Sequence, residues 1–249
     1  SNVNILDESN ANTAFTRTCP KHSEIVIYRK EEWFKVLIHE TFHNFGLDFS
    51  DMDTKNCTNT ILQIFPINSE VNLYESYAEF WAEILNACFC SFILLQNKKN
   101  KSDFLSNCEI IIHFERLYSY FQLVKVLNFM SLTYNNLFEN NIESHILRET
   151  MYKEKTNILS YYIIKTILLN NYNGFLNWCK TNNISLLQFK KTAKNLKDYC
   201  IFIQNNYKTK DILENVLKTE KFFKKKKSKE IQKQSFLFTN MRMTVLEMG

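Results

Sequence analysis

The chain has 249 residues, 45% of them hydrophobic, with a formal charge of +5. That is enough apolar material for a sizeable core in one large unit. With 3 Gly and 2 Pro, it lacks the punctuation of a many-stranded or linker-rich protein, which favours helices. Much of the net charge lies in one run, Lys224 to Lys227, which reads as a solvated loop or helix end; nucleic acid or another acidic partner is the minority reading.

The 7 cysteines are odd in number and several sit in apolar stretches, as in Asn86-Ala-Cys-Phe-Cys90, so they read as reduced core residues. An intracellular location follows, in the cytoplasm, an infected host cell or a virion. The apolar run ending at Leu95 is broken by Glu83 and Asn86, so no transmembrane segment is expected. The polar opening residues do not read as a signal peptide.

In chain order, residues 24–29 predict a strand, with β-branched and aromatic side chains together. The pattern turns helical from Glu31, and Gly46 stands where a C-terminal glycine would stop that helix, predicting a helix over 31–45. Thr60–Phe65 reads as a short strand closed by Pro66. Ser69 then caps a predicted helix running to about Gln96. Further helices are predicted from about Ser102, then over 143–151, 155–170, 173–181, 185–205 and 209–220. The tail from Ser235 alternates loosely and reads as a strand. Neither repeat nor low-complexity linker interrupts this order, apart from the lysine run.

The chemistry concentrates in His39-Glu-Thr-Phe-His43. Residues four apart share one helix face, so His39 and His43 can aim both rings at one ion. Glu40 can then reach a water beside the ion without being a ligand itself. A catalytic zinc site needs a third protein ligand. In the spacing H-E-x-x-H-x-x-G-x-x-H, Gly46 matches but the last position is Phe49, which cannot bind metal, and Asp48 is one residue out of register. A later glutamate is the other source.

The segment Tyr74-Glu-Ser-Tyr-Ala-Glu-Phe-Trp-Ala-Glu83 resembles the glutamate helix of gluzincin-type metallopeptidases, with Glu75, Ala78 and Glu79 matching its E-x-x-A pattern. The resemblance covers residue 24 to about residue 85. The stretch between His43 and Glu75 is longer than in thermolysin, so that connection would be particular to this chain. It implies a mainly α chain with a small N-terminal β element (α+β), a zincin-like core over 1–96 and a helical region over 97–249, all one domain. It implies Zn2+ held by His39, His43 and Glu75, with Glu79 orienting a histidine, and hydrolysis of a polypeptide substrate assisted by Glu40. Small Ala78 and Ala82 would let the two helices approach.

Alternatives remain open at this point. Glu79 could ligate while Glu75 faces solvent, and Glu83 could be the solvated end of the same stripe. An oxyanion donor could be Tyr74 or Tyr77, with His113 and His145 behind them. Asn12, Thr13 and Thr16 could form a substrate-facing edge. The segment from Ile25 to Ser50 also resembles uncharacterised proteins of large DNA viruses. A binding protein that keeps the zincin fold without turnover, or an interaction module acting through Lys224–Lys227, are the competing functions.

Overall fold

The computed structural model describes residues 14–17, 22–225 and 236–247. Two short strands, β1 (Ala14–Thr16) and β2 (Ile25–Ile27), pair antiparallel with Phe15 opposite Val26. The remaining regular elements are helical: α1 (Trp33–Asn44), α2 (Lys55–Ile64), α3 (Leu73–Leu94), α4 (Lys101–Phe129), α5 (Ile142–Met151), a π-helical turn (Leu159–Ile164) running into α6 (Lys165–Asn170), α7 (Tyr172–Asn182), α8 (Ala193–Asn206), α9 (Lys210–Lys225) and a final turn α10 (Phe236–Thr239). The expected mainly helical chain with a small N-terminal β element is therefore found. The predicted 24–29 strand is found as β2, paired with β1 from a stretch that has no periodicity of its own.

Helix α3 is the central element, packed against α1, α4, the π-helical turn and α6. Trp81, Tyr77, Phe80 and Ala82 on α3 are buried together with Leu123, Ile163 and Leu168. Among the described residues α3 is the helix long and apolar enough to cross a membrane. Here that length crosses the core instead, and it carries Glu79 and Glu83 at 1% exposure inside it. Buried carboxylates of this kind require partners, which other helices supply.

Asparagine has a structural use that composition alone did not disclose. Asn100, Asn141 and Asn171 each accept a backbone N–H in the first turn of α4, α5 and α7, and Thr192 does so for α8. Helix α3 begins after Asn72 rather than at the predicted cap Ser69, and α8 begins at Ala193 rather than at 185.

Two predicted strands are corrected. Residues 60–65 lie mostly in α2, because Cys57, Ile61 and Ile64 recur at helical spacing and are buried, Cys57 donating to the Leu196 carbonyl of α8 at 3.2 Å. The tail forms the turn α10 and then an irregular segment, 240–247. Its peptide groups are bound by side chains instead of a neighbouring strand. Glu32 accepts from the N–H groups of Met243 and Thr244, both at 2.7 Å, while Glu115 accepts from those of Val245 and Leu246. Burial raises the pKa of both Glu32 and Glu115 against these stabilising donors.

Six cysteines among the described residues are free thiols, and all but Cys88 are buried, as expected of core residues. Cys19 lies outside the described residues.

Candidate metal centre

Helix α1 presents Lys35, His39 and His43 at four-residue intervals, and α3 presents Glu75, Glu79 and Glu83 at the same interval. Both sets therefore form stripes along one helix face, and the helices run antiparallel so that the stripes meet. Lys35 bonds Glu79 at 2.5 Å, His39 reaches both Glu79 and Glu75, and His43 reaches Glu75. Buried Ala78 and Ala82 lie on the same helix α3.

Three atoms converge. His39 Nε2 and His43 Nε2 are 3.0 Å apart, and Glu75 Oε2 is 3.1 Å from the first and 3.3 Å from the second. Two ligands each ~2.0–2.1 Å from a tetrahedral centre stand about 3.3 Å apart, so a triangle of this size fits around one small divalent ion.

The other ring nitrogens bear on the same point. His43 Nδ1 faces an oxygen of fully buried Asp48, and His39 Nδ1 lies 2.9 Å from Glu79 Oε2, which sits off the ring N–H direction. Carboxylates at both Nδ1 positions favour the proton there and leave lone pairs on both Nε2 atoms. Two lone pairs and a carboxylate oxygen at 3.0–3.3 Å repel one another unless positive charge lies among them.

The electrostatics of the bare side chains agree. Burial alone would lower both histidines, but the carboxylates of Glu75 and Glu79 raise His39, and those of Asp48 and Glu75 raise His43 further. Burial would raise Glu75, yet the two histidines hold it well below the usual carboxylate range. The site calls for a cation, whether protons or a metal. The donor set of two imidazoles and one carboxylate fits a metal of the zinc class.

Sequence position explains how Asp48 arrives. Gly46, at φ 62°, ends α1 with its N–H bonded to the His43 carbonyl and the Leu47 N–H to the Phe42 carbonyl. That left-handed turn folds the chain back on the last turn of α1. Asp48 then meets His43 from outside, while Phe49 is buried against Tyr77, Phe189 and Tyr199.

A cleft of about 210 Å³ opens beside the three atoms, lined by residues including Glu40, Phe15, Thr16, Asn157, Tyr161 and Met243. Burial raises the pKa of Glu40, partly offset by His39 and His43, so its carboxylate is a stronger base than an exposed one. Tyr161, in the π-helical turn, donates to Glu75 Oε2 at 3.1 Å, and its ring centroid lies 6.0 Å from that of His39.

The chain is 26% identical over 204 residues to an uncharacterised protein of Acanthamoeba polyphaga mimivirus. A relative in a large DNA virus is thus found, at low identity. The match covers 80% of this chain and 50% of that protein, so the chain spans about half the relative's length. No protein-family model and no solved structure matches the chain.

Other expected residues fall elsewhere. Tyr77 stands two residues after Glu75, about 200° around the helix, and points into the opposite aromatic cluster, donating to the Leu187 carbonyl at 2.8 Å. Tyr74 stays near the centre through an edge contact with His43 at 5.8 Å, and burial with Glu75 pushes its phenol up to about 12, but it does not line the cleft. His113 and His145 are exposed on α4 and α5, away from the site. Glu83 is not solvated, since it bonds Lys165 at 2.7 Å with both side chains 1% exposed. Thr16 lines the cleft on β1, where Asn44 donates to its hydroxyl at 3.0 Å, while Asn12 and Thr13 lie outside the described residues. Lys224 and Lys225 are exposed at the end of α9, and Lys226 and Lys227 lie outside the described residues. Tyr161 and Asp48 are the site residues that sequence reasoning did not assign. Asp48 had a signal in the Gly46 turn, and Tyr161 had none in local spacing.

Proposed function

We propose that the chain is a gluzincin-like zinc peptidase, with zinc held by His39, His43 and Glu75. The observation that carries this reading is the convergence of those three acceptor atoms beside an open cleft that also receives Glu40. A zinc ion held there would polarise a peptide carbonyl and acidify an adjacent water.

The chain's own groups supply the rest. Glu40 accepts the proton of the attacking water and passes it to the leaving amine nitrogen. Tyr161 keeps its proton, because burial and the neighbouring Glu75 push its phenol well above the ordinary range; with Glu75 Oε2 engaged by the metal, the hydroxyl would turn from that oxygen and donate to the one on which charge develops. Glu79 and Asp48 hold the histidine rings in orientation. β1, whose three residues line the cleft, is the element beside which a polypeptide substrate would lie.

Metal analysis of the purified chain beside two variants tests the reading. Wild type and Glu40→Gln are expected to carry stoichiometric zinc, and Glu75→Ala to lose it. Full zinc in Glu75→Ala removes Glu75 from the ligand set. Cleavage of a peptide library by wild type should vanish with Glu40→Gln; equal profiles would leave a zinc-binding protein without turnover.

A further inference from the structure

We propose that the tip of the α3–α4 hairpin docks on an anionic membrane surface. The proposal stands apart from the metal centre and from any catalytic reading. At the end of α3 the side chains of Phe92, Ile93 and Leu94 are 46%, 58% and 67% exposed, and Leu105, in the first turns of α4, is 61% exposed. Large apolar side chains at such exposure mark an interaction surface, and Phe89 on α3 with Ile110, Phe114 and Leu117 on α4, 45–57% exposed, continue it along the hairpin away from the tip.

The spread of the side chains at the tip, together with the positive charge beside them, points to the partner. Successive helix residues stand about 100° apart, so Phe92, Ile93 and Leu94 together spread over roughly half of the helix circumference. A partner helix is met by a narrow stripe, such as Ile110, Phe114 and Leu117 make further along α4; the residues at the tip do not form one. Side chains that radiate around a helix end suit a fluid apolar phase, which can surround them.

The polar groups at the tip fit the same environment. A helix end carries open carbonyls that cannot enter an apolar phase unsatisfied. Here Lys98 folds back and donates to the carbonyls of Phe92 and Ile93, both at 2.8 Å, with its ammonium 5.0 Å from the Phe92 ring. Lys99 and Lys101 are exposed in the same connection, with Asp103 the neighbouring acid. Positive charge immediately beside exposed apolar side chains is the arrangement that meets anionic headgroups while the apolar groups enter the acyl boundary. The contact is peripheral, because the rest of α3 buries Glu79 and Glu83 inside the fold.

Co-sedimentation of the full chain with vesicles tests this. Phosphatidylcholine vesicles containing phosphatidylserine should carry wild type down, pure phosphatidylcholine vesicles should do so far less, and added salt should weaken the binding. The pair Phe92→Ser with Ile93→Ser, and separately Lys99→Glu with Lys101→Glu, should each reduce partitioning at least tenfold with thermal unfolding unchanged. The lysine pair keeps the test valid if the apolar pair misfolds. Failure of wild type to bind the anionic vesicles overturns the proposal, as does binding unaffected by the lysine pair. Sedimentation velocity showing a wild-type dimer that Phe92→Ser dissociates, without vesicle binding, would assign the tip to a second copy and likewise overturn it.

Discussion

Lys35 and Glu79 form an ion pair at 2.5 Å with side chains only 3% and 1% exposed, and Glu79 uses its other oxygen beside His39. One carboxylate therefore joins the buried lysine of α1 to His39 of the same helix. Removing one member leaves an uncompensated buried charge, which costs about 3–5 kcal/mol. Lys35→Met is expected to lose stability on that scale in urea unfolding with chelator present, so that metal binding does not enter. Lys35→Met with Glu79→Met should recover much of the loss, and additive losses in the double variant would contradict the pairing.

Asp48 touches His43 but none of the three converging atoms. Asp48→Asn should keep the fold, since the amide oxygen can still accept from Nδ1, while weakening zinc affinity by roughly 10–100-fold. Competition against a chromophoric chelator measures this. Unchanged affinity would reduce Asp48 to a packing residue.

Tyr161→Phe removes one hydroxyl from the cleft. If the phenol stabilises developing charge, kcat should fall by about 10²–10³-fold with zinc content and KM nearly unchanged. A rise in KM alone would make Tyr161 a substrate contact instead.

Burial pushes the Lys125 ammonium down to about 7 from 10.5, at a position where it donates to the carbonyls of Leu237 and Asn240. Between those two values the unfolded chain retains a proton that the folded chain has released. Stability should therefore rise with pH across that window. Urea midpoints at about pH 7 and pH 9 are expected to show the rise in wild type and to lose it in Lys125→Met.

Ser131 ends α4 at φ 60°, with its N–H on the Asn128 carbonyl and the Leu132 N–H on that of Leu127. It occupies the position that Gly46 holds after α1. Ser131 is exposed, so Ser131→Gly relieves the left-handed strain without opening a cavity, and should add roughly 0.5–1 kcal/mol. Thermal unfolding reads the gain, and a loss would show that the serine side chain contributes to the cap.

Local periodicity made the helices and the His39–Glu40–His43 face legible, because a helix places residues four apart together whatever surrounds it. Spacing likewise marked Glu75, Glu79 and Glu83 as one stripe. Spacing does not say which side of that stripe is buried: Glu83 fits a solvated face equally well, and what buries it is Lys165, from a helix far along the chain. Thr60–Phe65 and the tail depart from the strands that their sequence predicts for a related reason. Short apolar runs fit either period, and what decides is the surface that they meet: α8 for Ile61 and Ile64, and the buried carboxylates of Glu32 and Glu115 for residues 243–246.

By itself, then, the sequence determined a helix with two imidazoles and a carboxylate on a shared face, since that depends on bonds within a single turn. Only the tertiary structure decided that Glu75 meets both histidines, that Asp48 and Glu79 stand at their outer nitrogens, and that Tyr161 joins them. Those relations depend on antiparallel packing of α1 against α3 and on a π-helical turn far along the chain, and neither leaves a mark in the local pattern of residues.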